Sequence, residues 1–193
     1  MISFPIVLAS ASPRRLQLLK QIGMKPTVKV ADIDERVSGS ETPEEYACRL
    51  ACAKGKTVVD RYGDDPAVIS ADTIVVVDRS ILGKPGNRQE AGDFMRLLSG
   101  REHTVTTAVS IFWKSRSLTR CESTKVLFAP LSETMINAYL DTGDYLDKAG
   151  GYGIQSFAAL FIPRIEGCFF NVMGFPLYLF SKMALEMGLP IFI

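Results

Sequence analysis

Histidine and tryptophan occur once each in the 193 residues, and cysteine occurs only four times. A single histidine, His103, excludes a catalytic site built on several imidazoles. It also cannot complete a zinc site with Cys48 and Cys52, whose spacing has no matching second pair. Four cysteines in a chain of this length are too few for a disulfide framework. We therefore expect reduced thiols that act as small core residues, and a cytoplasmic protein.

An excess of charge of one sign is also lacking, because 22 Lys and Arg residues face 21 Asp and Glu residues. The whole-protein field therefore favours neither duplex nucleic acid nor an anionic membrane as a partner, and any anion must be bound by a local cluster of basic residues. The Walker A pattern of P-loop nucleotide-binding proteins is absent. We expect the partner to be a small molecule.

Long uninterrupted apolar runs are missing as well. The N-terminal run 2–9 has no basic residue before it and is too short for a signal peptide, and Pro176 and Lys182 interrupt the C-terminal run 172–193. We expect neither a leader nor a membrane span. An apolar tail would form an exposed patch on a monomer unless it packs down, which leaves a homodimer open. The tail consists of Leu189, Ile191, Phe192 and Ile193.

Helix signals alternate with strand-like runs along the whole chain. Capping residues Ser12, Thr42, Asn87 and Ser132 each precede a helical pattern, and a fifth apolar stripe begins at Leu177. Between the helices lie six apolar runs that are typical of strands. The runs are 6–9, 28–30, 67–77, 104–113, 118–128 and 160–165. This order predicts an α/β fold with a mixed central sheet flanked by helices, in one domain over residues 1–193.

The first candidate for chemistry is the segment from Ser10 to Arg15. A buried strand ends there and a helix begins, so that unsatisfied N–H groups and the positive end of a helix dipole face the turn. Ser10, Arg14 and Arg15 add a hydroxyl and two guanidinium groups. Phosphate binding and a capped helix with solvated arginines both account for this pattern.

The second candidate is Asp72, which is followed by Thr73 inside the apolar strand 67–77. An ionised carboxylate in such a strand is costly unless it is paired or bound to a metal ion. Two functions are open for it, as a metal ligand or as a general base that activates water. The alternative is an aspartate at the solvated rim of the sheet.

Two lysines and an acidic cluster could complete such a site. Lys54 lies on the apolar stripe of its helix, and Lys84 lies in a tight turn, although either side chain could simply reach solvent. With the two arginines they would supply the positive charge that a triphosphate requires. Asp32, Asp34 and Glu35 follow a short strand, and any one of them could hold a metal ion alongside Asp72.

The last candidate is the glycine-rich segment 147–155. Three glycines in four positions permit a close backbone approach to a ligand. Tyr152 could stack on a nucleobase, and the amide of Gln155 could pair with a base edge through one donor and one acceptor. A plain flexible loop is the alternative. The pattern gives His103 no catalytic role and favours a place for it at the start of a strand.

In this order, these segments resemble the Maf family of nucleotide pyrophosphatases, also described as septum formation inhibitor-like proteins. The resemblance extends from about Val7 to about Leu179. Each short motif alone is weakly specific, but their joint occurrence in sequence is specific. The motifs are LASASPRR at 8–15, ADTIVVVD at 71–78, LGKP at 82–85, SGREHTV at 99–105, DKAGGYGIQ at 147–155 and NVMGFP at 171–176.

The resemblance implies an elongated, inosine triphosphatase-like α/β fold with two lobes and a cleft. It also implies hydrolysis of a nucleoside triphosphate to the monophosphate and pyrophosphate, as in the branch that prefers dTTP and UTP, with CTP or modified pyrimidine nucleotides as further substrates. Asp72 would be the proton acceptor and, with Glu35, a ligand of Mg²⁺ or Mn²⁺. The residues expected to bind substrate are Ser10, Arg14, Arg15, Lys54, Thr73, Lys84, Tyr152 and Gln155.

One departure from the family pattern lies next to Lys54. The family often has Glu-Lys-Ala where this chain has Ala53-Lys54-Gly55, and glycine lowers helix propensity by about 1 kcal/mol relative to alanine. We therefore expect weakened helical order near Lys54. Two other functions stay open: a nucleotide-binding regulator of cell division without turnover, and a purine-directed enzyme for inosine- or 7-methylguanosine-type triphosphates.

Overall fold

A computed structural model describes residues 4–36 and 41–191 of the chain, which form an α/β fold. Six α-helices are present in the described residues: α1 Pro13–Gln21, α2 Pro43–Tyr62, α3 Arg88–Leu98, α4 Glu133–Asp141, α5 Phe169–Val172 and α6 Leu177–Met187. Two short 3₁₀ helices occupy Ala149–Gly151 and Phe157–Phe161. Seven strands are described: β1 Ile6–Leu8, β2 Thr27–Val28, β3 Ala67–Val77, β4 Ser80–Leu82, β5 Glu102–Trp113, β6 Arg116–Leu127 and β7 Arg164–Glu166.

The strands form one mixed sheet in the order β2-β1-β3-β5-β6-β7, and β4 pairs with β3. β1 lies parallel to both β2 and β3, with Val7 opposite Val68, whereas β6 and β7 are antiparallel. β3 has the bounds predicted from the sequence, and nine of its eleven residues are buried. The predicted mixed sheet flanked by helices is therefore confirmed.

Local capping explains where α2, α3 and α4 begin, whereas Ser12, the predicted cap of α1, makes no capping hydrogen bond with its side chain. Thr42 and Glu45 form the predicted capping box, in which the Thr42 side chain accepts the Glu45 N–H and the Glu45 carboxylate accepts the Thr42 N–H. Asn87 caps α3 by accepting the Glu90 N–H. The Glu90 carboxylate in turn accepts the N–H of Gly86, the residue before the cap, at 2.7 Å.

The predicted strand 160–165 is wrong in its first half. A 3₁₀ helix occupies Phe157–Phe161, and the strand is the shorter segment Arg164–Glu166. Leu160 is 74% exposed, so the apolar run is not a buried strand. Pro163 lies between the two elements and has no N–H for a ladder bond. The pattern also failed to predict β4 and α5, both of which are very short.

The chain divides into two compact units, and the division falls within strands β3, β5 and β6. The first unit consists of the described parts of Met1–Asp72, Thr107–Glu122 and Gly174–Ile193. Its core includes the fully buried side chains of Leu18, Leu19, Leu50 and Ile69. The second unit consists of Thr73–Thr106 and Ser123–Met173. Its core includes Met95, Leu98, Phe128 and Tyr139.

The apolar tail is only partly described. Leu189 is 2% exposed and Ile191 is half-buried, so these two side chains do not form the exposed patch expected of a monomer. Phe192 and Ile193 lie outside the described residues. Within the described residues, none of the helices combines the length and the apolar character that crossing a bilayer requires.

Candidate active site

Asp72 is the last residue of the first unit on strand β3, and its side chain is buried. Only 8% of the residue is exposed, which excludes the solvated strand rim as its position. Its Oδ1 atom accepts a hydrogen bond from the Nζ of Lys54 at 2.6 Å. The charge on Asp72 is therefore compensated in the way that a buried carboxylate requires.

Lys54 joins two carboxylates that are distant in sequence. It projects from helix α2, and its Nζ lies 2.6 Å from Asp72 and 2.7 Å from Glu35 Oε1. Because both contacts share one nitrogen, the two carboxylate oxygens are separated by no more than the sum of these distances. The Glu35 side chain is about half exposed, whereas those of Lys54 and Asp72 are largely covered. The cluster thus has an open side at Glu35.

Gly55 has a packing role that the sequence pattern did not indicate. Helix α2 continues through it without a break, so the expected loss of helical order near Lys54 is wrong. A Cβ atom at Gly55 would lie 2.4 Å from the ring of Phe112 and 2.7 Å from the hydroxyl of Ser70. Ser70 in turn donates to the carbonyl of Ala51 at 2.6 Å. Glycine at this position lets α2 approach the sheet closely enough to place Lys54 beside Asp72.

Arg15 is buried at the start of helix α1, with 9% of the residue exposed. Its Nε donates to the Gly174 carbonyl at 2.9 Å, and its Nη1 donates to the Ser10 hydroxyl at 3.0 Å. Burial lowers the pKa of the guanidinium, and the charge of Asp72 partly offsets this effect. An arginine stays protonated even so. A fixed positive charge therefore lies within electrostatic reach of the two carboxylates.

Tyr46 and Arg49, neither of which was predicted from the sequence, hold the segment that carries Glu35. The Tyr46 hydroxyl donates to the Glu35 carbonyl at 2.6 Å, and Arg49 donates to the Arg36 carbonyl at 3.0 Å. Arg49 also pairs with both carboxylate oxygens of Glu41. The helical spacing of Tyr46, Arg49 and Lys54 could have indicated this role, because it places their side chains on adjoining faces of α2.

The three members of the acidic cluster have different surroundings. Asp34 is exposed and makes a bidentate pair with Arg36, whose hydrogen bonds lower the pKa of the Asp34 carboxyl. Asp32 is exposed. Glu35 is the member that contacts Lys54. Of the three carboxylates left open by the sequence, only Glu35 is thus described in contact with the Asp72–Lys54 pair.

In the second unit, the glycine-rich segment 147–155 and the turn 82–85 contact each other through uncharged backbone groups. The N–H of Gly150 donates to the carbonyl of Gly83 at 2.9 Å, which joins the glycine-rich segment to the turn that carries Lys84. Gly150 has φ of 63°, and a Cβ atom there would lie 2.8 Å from a methyl group of Val75. Glycine is required at this position for both reasons.

The substrate residues predicted in the second unit occupy different environments. Lys84 and Gln155 are exposed, and Thr73 is half-buried, as is Arg14 in the first unit. Tyr152 is 6% exposed, so its ring offers no open face to a nucleobase, contrary to the stacking prediction. The ring packs edge-on against His103 and Phe128 instead. The Tyr152 side chain therefore packs inside the second unit and fixes the segment 147–155 by this packing.

The donor set at Glu35 and Asp72 fits a hard divalent cation that is also bound by substrate. Among residues 4–36 and 41–191, no group of three or more His, Cys, Asp and Glu side chains could hold a metal ion by itself. Mg²⁺ is commonly bound by one or two carboxylates together with substrate phosphates, rather than by a complete protein cage. Two carboxylates that converge on one ammonium group meet this requirement.

Comparison with known proteins agrees with this architecture. Residues 5–187 match the family model of the Maf-like proteins. The chain is 45% identical to the dTTP/UTP pyrophosphatase of Symbiobacterium thermophilum, over 97% of this chain and 96% of that protein. It is 42% identical to the dTTP/UTP pyrophosphatase of Caldicellulosiruptor saccharolyticus, over 95% and 94% of the two chains.

A solved structure, that of a HAM1 protein from Coxiella burnetii, has the same fold. It matches with a TM-score of 0.51 and 15% identity, over 95% of this chain and 99% of that chain. The α/β fold expected from the resemblance is therefore confirmed, and it is shared with this HAM1 protein. The family match extends over nearly the whole chain and includes every motif on which the resemblance was based. The chain belongs to the Maf family.

Proposed function

We propose that this chain is a nucleoside triphosphate pyrophosphatase that hydrolyses dTTP and UTP to the monophosphate and pyrophosphate. The observation that carries the proposal is the buried Asp72 carboxylate, which contacts Lys54 and lies within electrostatic reach of Arg15. This arrangement provides one proton acceptor and two fixed cations. Relatives that are named dTTP/UTP pyrophosphatase at 40–46% identity support the choice of substrate.

The cations of the first unit suit a polyanionic substrate. Arg15 keeps its orientation through Gly174 and Ser10, so it requires little reorganisation when a phosphate arrives. Lys54 is shared by two carboxylates, and a phosphate oxygen would compete with them for its ammonium hydrogens. Arg14, half-buried in the same helical turn, is the third cation. Thr73, Lys84 and Gln155 stay predicted substrate residues.

Asp72 is proposed to accept the proton of the attacking water. The water oxygen bonds to the α-phosphorus, the bond from that phosphorus to the bridging oxygen breaks, and pyrophosphate leaves with the bond electrons. Arg15 and Lys54 stabilise the charge that develops on the phosphate oxygens. A divalent cation such as Mg²⁺ or Mn²⁺, held by Glu35 and Asp72 together with the phosphates, would neutralise part of the same charge.

The test is hydrolysis by the purified protein of dTTP, UTP, CTP, dGTP, ITP and 7-methyl-GTP in the presence of Mg²⁺. We expect the pyrimidine nucleotides dTTP and UTP to be the best substrates, with monophosphate and pyrophosphate as products. In ¹⁸O-labelled water the label should enter the monophosphate, because attack is at the α-phosphorus. Preferred hydrolysis of ITP or 7-methyl-GTP would support the purine-directed alternative, and nucleotide binding without turnover would support the regulator.

The catalytic assignment is tested separately with Asp72→Asn. We expect its kcat for dTTP to fall about 10²- to 10⁴-fold, the range for loss of a general base, with little change in the far-UV circular dichroism spectrum. Asp60→Asn is the matched control, because Asp60 is exposed near the end of helix α2. A wild-type rate in Asp72→Asn would contradict the assignment even if the chain hydrolyses dTTP.

A further inference from the structure

The glycine-rich segment 147–155, called here the 147–155 loop, is fixed at three successive residues by neutral hydrogen bonds. The Gly150 N–H donates to Gly83, as described above. The Tyr139 hydroxyl donates to the Gly151 carbonyl at 2.8 Å. The Tyr152 hydroxyl and the Nε2 of His103 lie 2.6 Å apart. The loop is therefore not the plain flexible loop that the sequence pattern left open.

His103 is the least expected of these partners. It lies at the start of strand β5 and is 3% exposed, with its ring edge-on to both Phe128 and Tyr152 at centroid distances of 5.1 and 5.4 Å. Burial lowers the pKa of its imidazole to about 4, so the ring is neutral at physiological pH. Within the described residues, Nδ1 is buried and has no hydrogen-bond partner.

A histidine that only filled space would be a poor choice here. A phenylalanine at this position would avoid the unpartnered Nδ1 atom, which costs about 1–3 kcal/mol, but it would also remove the partner of the buried Tyr152 hydroxyl. The interaction that an imidazole provides and a phenyl ring does not is the bond from Nε2 to Tyr152. This bond ends on the loop residue three positions before Gln155, whose exposed amide is the predicted reader of the base.

We propose that His103 is a positioning residue for nucleotide selectivity, which acts through Tyr152 to hold the 147–155 loop in the shape that presents Gln155. This inference rests on the proposed function. His103 does not touch the substrate, and Tyr152 acts as the link rather than as a stacking platform. Preorganising the loop spares the bound nucleotide the cost of ordering it, so loss of the link weakens binding of the preferred base more than it slows the chemical step.

The experiment compares Tyr152→Phe, His103→Phe and His103→Gln with the wild type. We expect Tyr152→Phe and His103→Phe each to raise the KM for dTTP roughly 3- to 10-fold, the equivalent of one lost hydrogen bond, with kcat within twofold. The preference for dTTP over dGTP should fall by a similar factor. His103→Gln should recover most of the loss, because the glutamine amide can occupy the position of Nε2. The double variant Tyr152→Phe/His103→Phe should have a KM for dTTP no higher than that of either single variant, because all three lack the same hydrogen bond.

Tyr178→Phe is the control, because it removes the same hydroxyl group from an exposed tyrosine of helix α6. Wild-type KM and selectivity in Tyr152→Phe and His103→Phe would overturn the proposal. A uniform fall in kcat for all nucleotides with unchanged KM, or failure of His103→Gln to recover the KM, would do the same.

A second readout separates this proposal from the proposed function. Amide hydrogen exchange at residues 150–156 is measured without substrate, and we expect it to be at least 3-fold faster in Tyr152→Phe than in the wild type or in Tyr178→Phe. If the wild type hydrolyses no nucleotide but the exchange rates differ as expected, the proposed function fails while His103 keeps its positioning role. Equal exchange rates in an active enzyme would reject that role alone.

Discussion

The two units of this chain hold their candidate functional residues by opposite means. In the first unit, the charged side chains of Lys54, Asp72 and Glu35 contact one another, and Arg15, which is held by Ser10 and Gly174, lies within reach of their field. In the second unit, the 147–155 loop is fixed by neutral groups, through Gly150, Tyr139 and the His103–Tyr152 pair. We call Lys54, Asp72, Glu35 and Arg15 the charged arrangement, and Gly150, Tyr139, His103 and Tyr152 the neutral arrangement. Charge preorganises the first, whereas backbone conformation and aromatic packing preorganise the second.

This difference matches the chemistry proposed for each unit. A triphosphate is a polyanion, and fixed cations are the groups that stabilise charge on phosphate oxygens. A nucleobase is neutral, and it is recognised by hydrogen-bonding groups whose positions must be accurate. Substitutions of the charged residues in the first unit should therefore lower turnover, whereas those in the second unit should act mainly on binding and stability.

After Asp72→Asn, the largest expected effect comes from Lys54→Met, which breaks the charged arrangement. Buried Asp72 would lose its 2.6 Å partner. We expect kcat/KM for dTTP to fall about 10²- to 10³-fold and the free energy of unfolding to fall by about 3 kcal/mol. The double variant Lys54→Met/Asp72→Asn should regain stability but not activity, because the uncompensated charge is gone. Steady-state kinetics and urea unfolding measure both quantities.

Lys56→Met is the control for this experiment, since Lys56 is exposed on the same helix. A Lys54→Met enzyme with wild-type kcat/KM would remove Lys54 from the catalytic arrangement. A double variant no more stable than the single one would show that the Asp72 charge is not the source of the instability.

The charged arrangement was the part of the site that sequence could predict. An aspartate inside an apolar strand and a lysine on an apolar helical stripe each violate the binary pattern, and both violations are visible in one dimension. Glu35 could be named only as one of three acidic candidates, because no local pattern separates it from Asp32 and Asp34. The contact with Lys54 makes that distinction, and it depends on the approach of α2 to the sheet.

The neutral arrangement could not be predicted in the same way. A buried histidine at the start of a strand is an ordinary pattern, and nothing local links His103 to a tyrosine 49 positions later. Tyr152 looked like a base platform because aromatic residues in glycine-rich loops can serve that purpose. Gly55 looked like a defect because helix propensity is local, whereas the ring of Phe112 that requires glycine lies on another element. The fold was more predictable, since capping boxes and strand periodicity are local signals.

Acid should weaken the neutral arrangement by protonating the unfolded chain. The pKa of His103 is about 4 in the folded protein, against 6.5 for an unperturbed histidine. Above pH 6.5 the His103 side chain is neutral in both the folded and the unfolded chain, so its titration does not lower the free energy of unfolding. As the pH falls from 6.5 to 4, the unfolded chain binds the proton first, so the free energy of unfolding decreases by about 3 kcal/mol in total.

His103→Gln isolates this effect, because His103 is the only histidine. Urea unfolding at pH 7.5 and at pH 5.0 should show a loss about 2 kcal/mol larger in the wild type than in the variant, the part of the change expected by pH 5. Equal pH dependence in the two proteins would mean that His103 titrates normally in the folded state.

Gly150→Ala should perturb the neutral arrangement through the backbone. The residue has φ of 63°, and the added Cβ would lie 2.8 Å from Val75. We expect a loss of about 2 kcal/mol in the free energy of unfolding, from strain and overpacking together. Gly23→Ala is the matched control, because Gly23 has φ of 80° and nothing within 4 Å of its Cβ position, so that only the backbone cost of about 1 kcal/mol applies. Equal losses in the two variants would mean that the loop moves away from Val75 at no cost.

Tyr46→Phe should give the smallest effect, and it tests whether the charged arrangement also depends on a neutral bond. The variant loses the 2.6 Å hydrogen bond that holds the Glu35 carbonyl but keeps every charge. If Glu35 binds a cation together with substrate, the Mg²⁺ concentration for half-maximal activity should rise about 3- to 10-fold, with kcat at saturating Mg²⁺ unchanged. Tyr62→Phe, on the exposed end of the same helix, should leave the Mg²⁺ dependence as it is. An unchanged Mg²⁺ requirement in Tyr46→Phe would mean that the pair with Lys54 alone suffices to hold Glu35, so that this carboxylate depends on charge and not on a neutral bond.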